Sequence, residues 1–291
     1  MSDALQRLDH ALADRGLARS RTAASRLIAD GQVLVNGTAV RKASRQVGPG
    51  DELEVISPTA AYVSRGALKL IVALDAARLD PSGAVAIDLG ASTGGFTQVL
   101  LDRGAREVIA IDVGHDQLAP LLASDVRVTN LEGVNVRHLT APGLDGLLRR
   151  HREGRVPLTS ADATLVVGDL SFISLRHILP AMVATVPNLA AAILLVKPQF
   201  EVGRTQVRGG LVADRAVAAD AVLDVVRDAR EAGLDVVDLH PSPITGTHGN
   251  QEYLLHLAPR AVSAHAATSP HPTQWGDQDA RIRAMVTGGP A

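Results

Sequence analysis

One stretch constrains the fold more than any other: residues 85–97, Val-Ala-Ile-Asp-Leu-Gly-Ala-Ser-Thr-Gly-Gly-Phe-Thr. A short apolar run carries Asp88, a glycine-rich turn follows (Gly90, Gly94, Gly95), and a helical pattern begins near Phe96. Strand, glycine turn, helix is the layout of a nucleotide-type site in an open α/β sheet. Glycine lets the backbone approach a ligand closely and adopt positive φ without penalty. The turn excludes two common ligands. A phosphate-binding P-loop needs lysine followed by serine or threonine after its last glycine, and Phe96 stands there instead. A dinucleotide fingerprint needs GxGxxG, and Gly90-Ala91-Ser92 breaks it at the second glycine. An acidic strand end beside a neutral, glycine-lined turn suits a cationic, phosphate-free cofactor such as S-adenosylmethionine. Asp88, Gly90, Ser92, Thr93, Gly94, Gly95 and Phe96 would line it.

A second half of the signal follows one βα unit later. Glu107-Val-Ile-Ala-Ile-Asp112 is another apolar run ending in a carboxylate, at the spacing where an acidic side chain bonds ribose hydroxyls. A strand that merely ends in a turn-forming aspartate is the alternative. Its pairing with Asp88 and the glycine turn favours the cofactor reading. Asn135, beyond Val128-Thr-Asn-Leu131, stands where a third sheet segment would meet the adenine edge, with a turn residue as the equal alternative.

Composition narrows the class. The chain has 291 residues and no cysteine, which removes disulfides, thiolate metal sites and cysteine nucleophiles together. Its ten histidines show no two-His helical pair, so no metal site is expected. The longest apolar run, residues 189–196, is far short of the ~20 residues that span a bilayer. No signal peptide is evident, and a soluble, cytoplasmic protein is expected. Charge is unevenly distributed. Residues 1–50 hold eight basic and four acidic side chains, a segment at +4 in a chain of net −2, so the remainder carries −6. A basic end on an acidic body is a footprint of nucleic-acid binding.

That basic end has its own organisation. Leu5, Leu8 and Leu12 mark one helix stopped by Gly16. Ser20 is an N-cap for a second helix with a buried stripe of Ala24, Leu27 and Ile28, stopped by Gly31. Val33-Leu34-Val35 running into Asn36-Gly37 reads as a strand and tight turn, and Val47 to Val55 as a further turn and closing strand. Arg19, Ser20, Arg21 and Arg26 sit at the start of the second helix or on its polar side, where the helix N-terminus also suits phosphate. A solvated arginine face is the competing reading. Arg7, Lys42 and Arg65 extend the candidate RNA-binding set, and the flexible loop 203–210 adds Arg204 and Arg208. His248, in a second glycine-rich loop at 245–250, reads as a polar loop residue rather than a catalyst.

These features fall in register with a known family. Arg7-Leu-Asp, residues 17–21 (Leu-Ala-Arg-Ser-Arg) and residues 29–37 (Ala-Asp-Gly-Gln-Val-Leu-Val-Asn-Gly) resemble the small RNA-binding domain of the ribosomal protein S-four type. Residues 62–70, the glycine turn, residues 169–175 (Asp-Leu-Ser-Phe-Ile-Ser-Leu), 196–201 (Val-Lys-Pro-Gln-Phe-Glu) and 249–253 (Gly-Asn-Gln-Glu-Tyr) follow in order. The series resembles the TlyA family, ribosomal RNA 2′-O-methyltransferases with an FtsJ-like catalytic domain, some of whose members are called haemolysins. The resemblance runs from about residue 5 to 258. It implies a doubly wound, Rossmann-like methyltransferase sheet of about seven strands, mostly parallel with the last antiparallel, behind a small α+β RNA-binding domain. The expected boundaries are 1–57 for the RNA-binding domain, 58–64 for a linker, 65–258 for the methyltransferase and 259–291 for a disordered tail with a weak helix near residues 278–285. The resemblance further implies ribosomal RNA or ribosomal subunits as partner, with a cytidine ribose as the acceptor.

The chemistry follows the same division. With no cysteine, carbon alkylation through a thiolate adduct is excluded. The Asn/Asp-Pro-Pro-aromatic turn of amino-group methyltransferases is also missing, which favours an oxygen acceptor. Asp169 and Lys197 each follow an apolar strand, at the edge where ligands bind in open α/β sheets. Burial at such a position favours a neutral lysine, and neighbouring carboxylates oppose that shift. A gatekeeper lysine capping a hydrophobic strand is the alternative for Lys197. Lys69, between Leu68 and Leu70, and Glu252, before a final strand, look ordinary alone. The resemblance carries the family's Lys-Asp-Lys-Glu set onto Lys69, Asp169, Lys197 and Glu252. Which of them takes the proton stays open at this level. Departures from the family pattern are a long arginine-rich stretch at 147–159, Gln251 where an apolar residue is usual, and the tail from Pro259. Three other classes remain: a non-catalytic RNA-binding factor, which would not need Asp88, Asp112 and the four-residue set together; a nicotinamide oxidoreductase, disfavoured by the broken fingerprint; and a cytolysin, for which the sequence offers no membrane-spanning or strongly amphipathic basic segment.

Overall fold

The computed structural model describes residues 5–18, 20–55, 62–246, 249–260 and 272–288. The chain separates into two compact units between Arg65 and Gly66.

The N-terminal unit contains β1 (Gln6–Arg7), α1 (Leu8–Asp14), α2 (Arg21–Ala29), β2 (Val33–Val35), β3 (Thr38–Ala39), β4 (Gln46–Val47) and β5 (Leu53–Val55). β3, β2 and β5 form an antiparallel sheet, and β1 pairs with β4. Leu8, Leu12, Ala24, Ile28, Val33, Val35 and Val47 make its core. Asn36 and Gly37 both have positive φ (51° and 75°), the twist a two-residue hairpin needs to bring Val35 opposite Thr38. Ser20 caps α2 by accepting the Ala23 N–H. Leu5 departs from expectation. It lies outside α1 and is largely exposed, because Gln6 and Arg7 are extended to pair with Val47 and Gln46, so the helix begins only at Leu8.

The second unit contains α3 (Ala67–Ala77), β6 (Val85–Leu89), α4 (Gly95–Asp102), β7 (Glu107–Ile111), α5 (Pro120–Ala123), β8 (Val128–Leu131), α6 (Ala141–His151), β9 (Ala163–Gly168), α7 (Leu179–Thr185), β10 (Ala191–Val196), α8 (Pro198–Glu201), α9 (Arg215–Glu231), β11 (Leu234–Pro241), β12 (Tyr253–Pro259) and α10 (Pro272–Thr287). The seven-stranded sheet has the order β11-β12-β10-β9-β6-β7-β8, with only β12 antiparallel to its neighbours. β6, β9 and β10 are nearly continuous apolar runs because helices cover both faces of a parallel sheet. On one face Ile87, Leu89, Val166 and Leu194 pack with Leu144, Leu148, Met182, Val222 and Val226 of the helices. Alternate residues point to the other face, where Asp88 reaches Thr97 of α4.

Two segments add to the sequence reading. Within the tail expected to be disordered, the weak helix expected near 278–285 is part of a longer one, α10, which packs along α9. Ile282 and Val286, spaced i, i+4, bury into the main core, and Arg230 pairs with Asp279. A composition poor in large apolar residues concealed two that fall on one helical face; residues 261–271 and 289–291 lie outside the described set. The arginine-rich stretch after α6 is structural. Arg152 is buried and forks onto Glu107 at 2.8 and 2.9 Å, also reaching Thr129, while Arg155 bonds Glu107 and the carbonyls of Val126 and Val128.

Candidate active site

The glycine turn forms at the C-terminal end of β6. Gly90 and Gly94 take φ of 76° and 94°, and a Cβ on Gly94 would lie 2.3 Å from a Leu122 methyl, so glycine is required there. Ser92 is also left-handed, at φ 47°. Asp112, just past β7, holds that conformation: its two carboxylate oxygens accept the N–H of Ser92 at 2.8 Å and of Gly114 at 2.7 Å. Each oxygen keeps a second lone pair for a hydroxyl donor. Thr93 is half-buried, and Gly95 and Phe96 are buried in the first turn of α4. Asn135 is exposed, and its side-chain oxygen caps a short 3₁₀ turn by accepting the Arg137 N–H.

Asp88 is fully buried. One oxygen accepts the Thr97 hydroxyl at 2.7 Å, and the other has no hydrogen-bond partner. Burial pushes its carboxyl up to about 7, opposed by Thr97 and helped by the charges of Asp169 and Asp112. Such a group binds an extra proton in the folded state between its ordinary 3.8 and 7, so it makes stability fall as pH rises through that window. Asp88→Asn is therefore expected to melt higher than the parent at pH 8 and nearly level with it at pH 4. Every tenfold difference in proton affinity between the folded and unfolded chain is worth about 1.4 kcal/mol, so the gap at pH 8 should be readily measurable. Parallel thermal melts from pH 4 to 8 check it; identical curves would mean that Asp88 is ordinary.

The four charged candidates do meet. Lys69 lies on α3, Asp169 just past β9, Lys197 just past β10 and Glu252 just before β12, so four separate elements converge. Lys69 Nζ contacts Asp169 Oδ2 at 3.0 Å and Glu252 Oε2 at 2.7 Å. Lys197 Nζ contacts Asp169 Oδ1 at 2.6 Å and donates to the Ser171 hydroxyl at 2.8 Å. Asp169 is thus shared by both lysines. Burial alone would raise its carboxyl, but the fields and hydrogen bonds of Lys197 and Lys69 outweigh that and hold it below 3.8. Glu252 is 2% exposed, Lys197 6% and Lys69 7%. Lys69, ordinary on its own helix, is therefore a buried cation between two anions. The cofactor turn abuts this centre: Asp169 N–H donates to Leu89 O at 3.2 Å, and a Cβ on Gly90 would sit 3.4 Å from Asp169 O.

Several residues of this site escaped the sequence reading although they lie inside its motifs. Ser171 takes the Lys197 donor. Phe172 is 91% exposed at φ 64° and packs on Phe200, ring centroids 5.1 Å apart, with Lys197 over the Phe200 ring. Glu201 accepts the Ser174 hydroxyl and the Leu175 N–H, tying α8 to the loop after β9. Only partner distances could have singled these three out. Gln251, noted in the sequence as a departure from the family pattern, stabilises the Glu252 segment by donating to Ser242 O and Glu252 O.

In the N-terminal unit Arg21, Arg26, Lys42 and Arg65 are exposed. Arg7 forks onto buried Asp9 at 2.9 Å through both contacts, so part of its role is internal. Arg208 is exposed in the second unit. Arg19 and His248 lie outside the described residues, as does the side chain of Arg204. Among the described residues no helix is long and apolar enough to cross a membrane, and no cluster of acidic or histidine side chains is arranged to hold a metal.

A glycine turn on a doubly wound sheet, set against a Lys-Asp-Lys-Glu cluster, defines a methyltransferase class, and comparison agrees: the chain belongs to the FtsJ-like methyltransferase family, which matches residues 62–258, with an S4 domain at 6–53. It is 45% identical over 284 residues to the 16S/23S rRNA (cytidine-2′-O)-methyltransferase TlyA of Mycobacterium tuberculosis, covering 97% of this chain and 98% of that one. It is also 34% identical to Hemolysin A of Brachyspira hyodysenteriae, over 86% of this chain and 99% of the relative. A solved structure of a hemolysin candidate from Streptococcus thermophilus superposes with TM-score 0.66 at 34% identity, covering 99% and 98% of the two chains.

Proposed function

We propose that this chain transfers a methyl group from S-adenosylmethionine to a ribose 2′-hydroxyl of ribosomal RNA, with cytidine as the acceptor nucleoside. The observation that carries this reading is Asp169, shared between Lys69 and Lys197 and in contact with the glycine turn. The cofactor supplies an activated methyl. The protein's task is to align the hydroxyl for in-line displacement and to ease its proton loss.

The residues suit that division of labour. The positive-φ turn at Gly90, Ser92 and Gly94 gives the cofactor a close backbone surface, Asp112 would accept its ribose hydroxyls, and Asp88 offers an unpartnered buried oxygen. Asp169, the most open of the four charged residues, and Lys197 would face the acceptor oxygen, easing its proton loss and stabilising developing negative charge. Lys69 and Glu252 hold that pair in place from behind. The exposed Phe172 ring, kept in a left-handed conformation, offers a stacking face for an unstacked base, as single-stranded RNA recognition requires. Arg21, Arg26 and Lys42 would contact phosphates.

The direct test is incorporation of labelled methyl from S-adenosylmethionine into unmethylated 16S and 23S ribosomal RNA, followed by nucleoside analysis. A 2′-O-methylated nucleoside is expected; a base-methylated product or none would sink the proposal. Asp112→Ala should weaken cofactor binding at least about ten-fold, the scale of losing hydrogen bonds to a charged group. Because Asp112 also anchors Ser92 and Gly114, the variant should loosen the turn as well. Calorimetric titration measures this, and unchanged affinity in a folded variant would remove Asp112 from the cofactor site.

A further inference from the structure

Two loops border the Glu252 side of the site. Residues 203–212 carry Arg208; residues 242–246 and 249–251 lead into Glu252. One side chain joins them. Asn250, 4% exposed, donates through Nδ2 to Gly210 O at 2.6 Å and accepts the Val212 N–H at Oδ1 at 3.0 Å. Its own carbonyl accepts the Gly246 N–H at 2.9 Å. Gly246 lies flat against Glu252, where a Cβ would be 2.6 Å from Oε1, and the other carboxylate oxygen holds Lys69. The path from Arg208 is as short. Arg208 and Leu211 exchange backbone hydrogen bonds of 3.0 Å across Gly209 and Gly210.

A cavity of about 380 Å³ lies beside these loops, bordered by Val212, Gly249, Asn250 and Tyr253. The two bonds from Asn250 join the loops directly, and the residue type matters. The amide presents a donor and an acceptor at once; aspartate lacks the donor.

We propose that Asn250 is a positioning residue that couples the arginine-bearing loop to Glu252, so that phosphate engagement by Arg208 is registered at the Glu252–Lys69 pair. This rests on the RNA methyltransferase reading above. A path of hydrogen bonds closed by the packing of Gly246 on Glu252 makes coupling physically available, and a double-mutant cycle measures it.

The test compares methyl transfer to unmethylated 16S and 23S ribosomal RNA transcripts by wild type, Arg208→Ala, Asn250→Asp and the double variant, with cofactor titration and thermal melts alongside. Asn250→Asp keeps the acceptor for Val212 but sets a carboxylate oxygen against the Gly210 carbonyl. Its kcat should fall by about ten-fold, within the range of residues along a coupling network, with cofactor affinity unchanged. Arg208→Ala should lower kcat and raise KM in the wild-type background, and raise only KM when Asn250→Asp is already present. Effects on kcat that multiply in the double variant, or an unchanged kcat in Asn250→Asp, overturn the coupling. Should Asn250→Asp melt early, hydrogen exchange on the wild type decides. The Val212 and Gly246 amides should become protected together when transcript is added, and in Arg208→Ala neither should. Protection at Val212 alone overturns the proposal. A wild type that methylates no transcript refutes the activity reading itself, whereas additive variants of an active enzyme refute only the coupling.

Discussion

Replacing Lys197 by alanine is expected to slow methyl transfer by at least ~10²-fold, the scale of one acid–base group, while cofactor and RNA remain bound. The variant removes the cation 2.6 Å from Asp169 and the donor to Ser171. Asp169 would keep Lys69, so the centre should stay folded with its charge pattern half lost. Lys197→Arg separates two roles, because arginine keeps the charge but does not act as a base at ordinary pH. An arginine variant as slow as alanine would assign Lys197 to proton handling. Substantial activity in the arginine variant would limit it to orientation and charge stabilisation. Labelled methyl incorporation into ribosomal RNA measures both, and an alanine variant near wild-type rate would take Lys197 out of the mechanism.

Asp169→Asn should have the largest combined effect. The substitution keeps shape but removes the anion that the buried Lys69 and Lys197 share. Removing one partner of a buried charged set costs about 3–5 kcal/mol, because the remaining charges stay desolvated. The partial exposure of the Asp169 side chain places this variant toward the lower end. Because the Asp169 carboxyl is held below its ordinary 3.8, its contribution is fully present above that value and is lost as pH falls through the lowered one. The stability gap between the two proteins should therefore persist at neutral pH and close only in strong acid. Chemical denaturation at pH 7 and pH 3 checks the stability; methyl transfer, expected to be lost, checks the chemistry. Equal stability at pH 7 would mean that the lysines are satisfied without Asp169.

Much of this molecule is decided locally and so could be read from residue order. The apolar runs at 85–89, 107–111, 163–168 and 191–196 become parallel strands because their length and continuity suit burial on both faces. The glycines at 90 and 94 announce positive φ, and the Asn36-Gly37 pair announces a hairpin. The positions of Asp88, Asp112, Asp169 and Lys197 at strand ends follow from the same periodicity.

Tertiary structure decided the environments. Nothing in Ala67–Ala77 distinguishes Lys69 from a surface lysine until β12 brings Glu252 to 2.7 Å and β9 brings Asp169 to 3.0 Å, across 183 and 100 residues of chain. Arginines at 152 and 155 stood out only as part of a long connection until Glu107 closed on them. The tail offered only a weak helix in an otherwise disordered reading until α9 gave Ile282 and Val286 a face to pack on. Periodicity and backbone preference act over a few residues and are written in neighbouring letters. Burial, ion pairing and the proton affinity of a carboxylate depend on which distant segments pack together, and only the folded chain determines that.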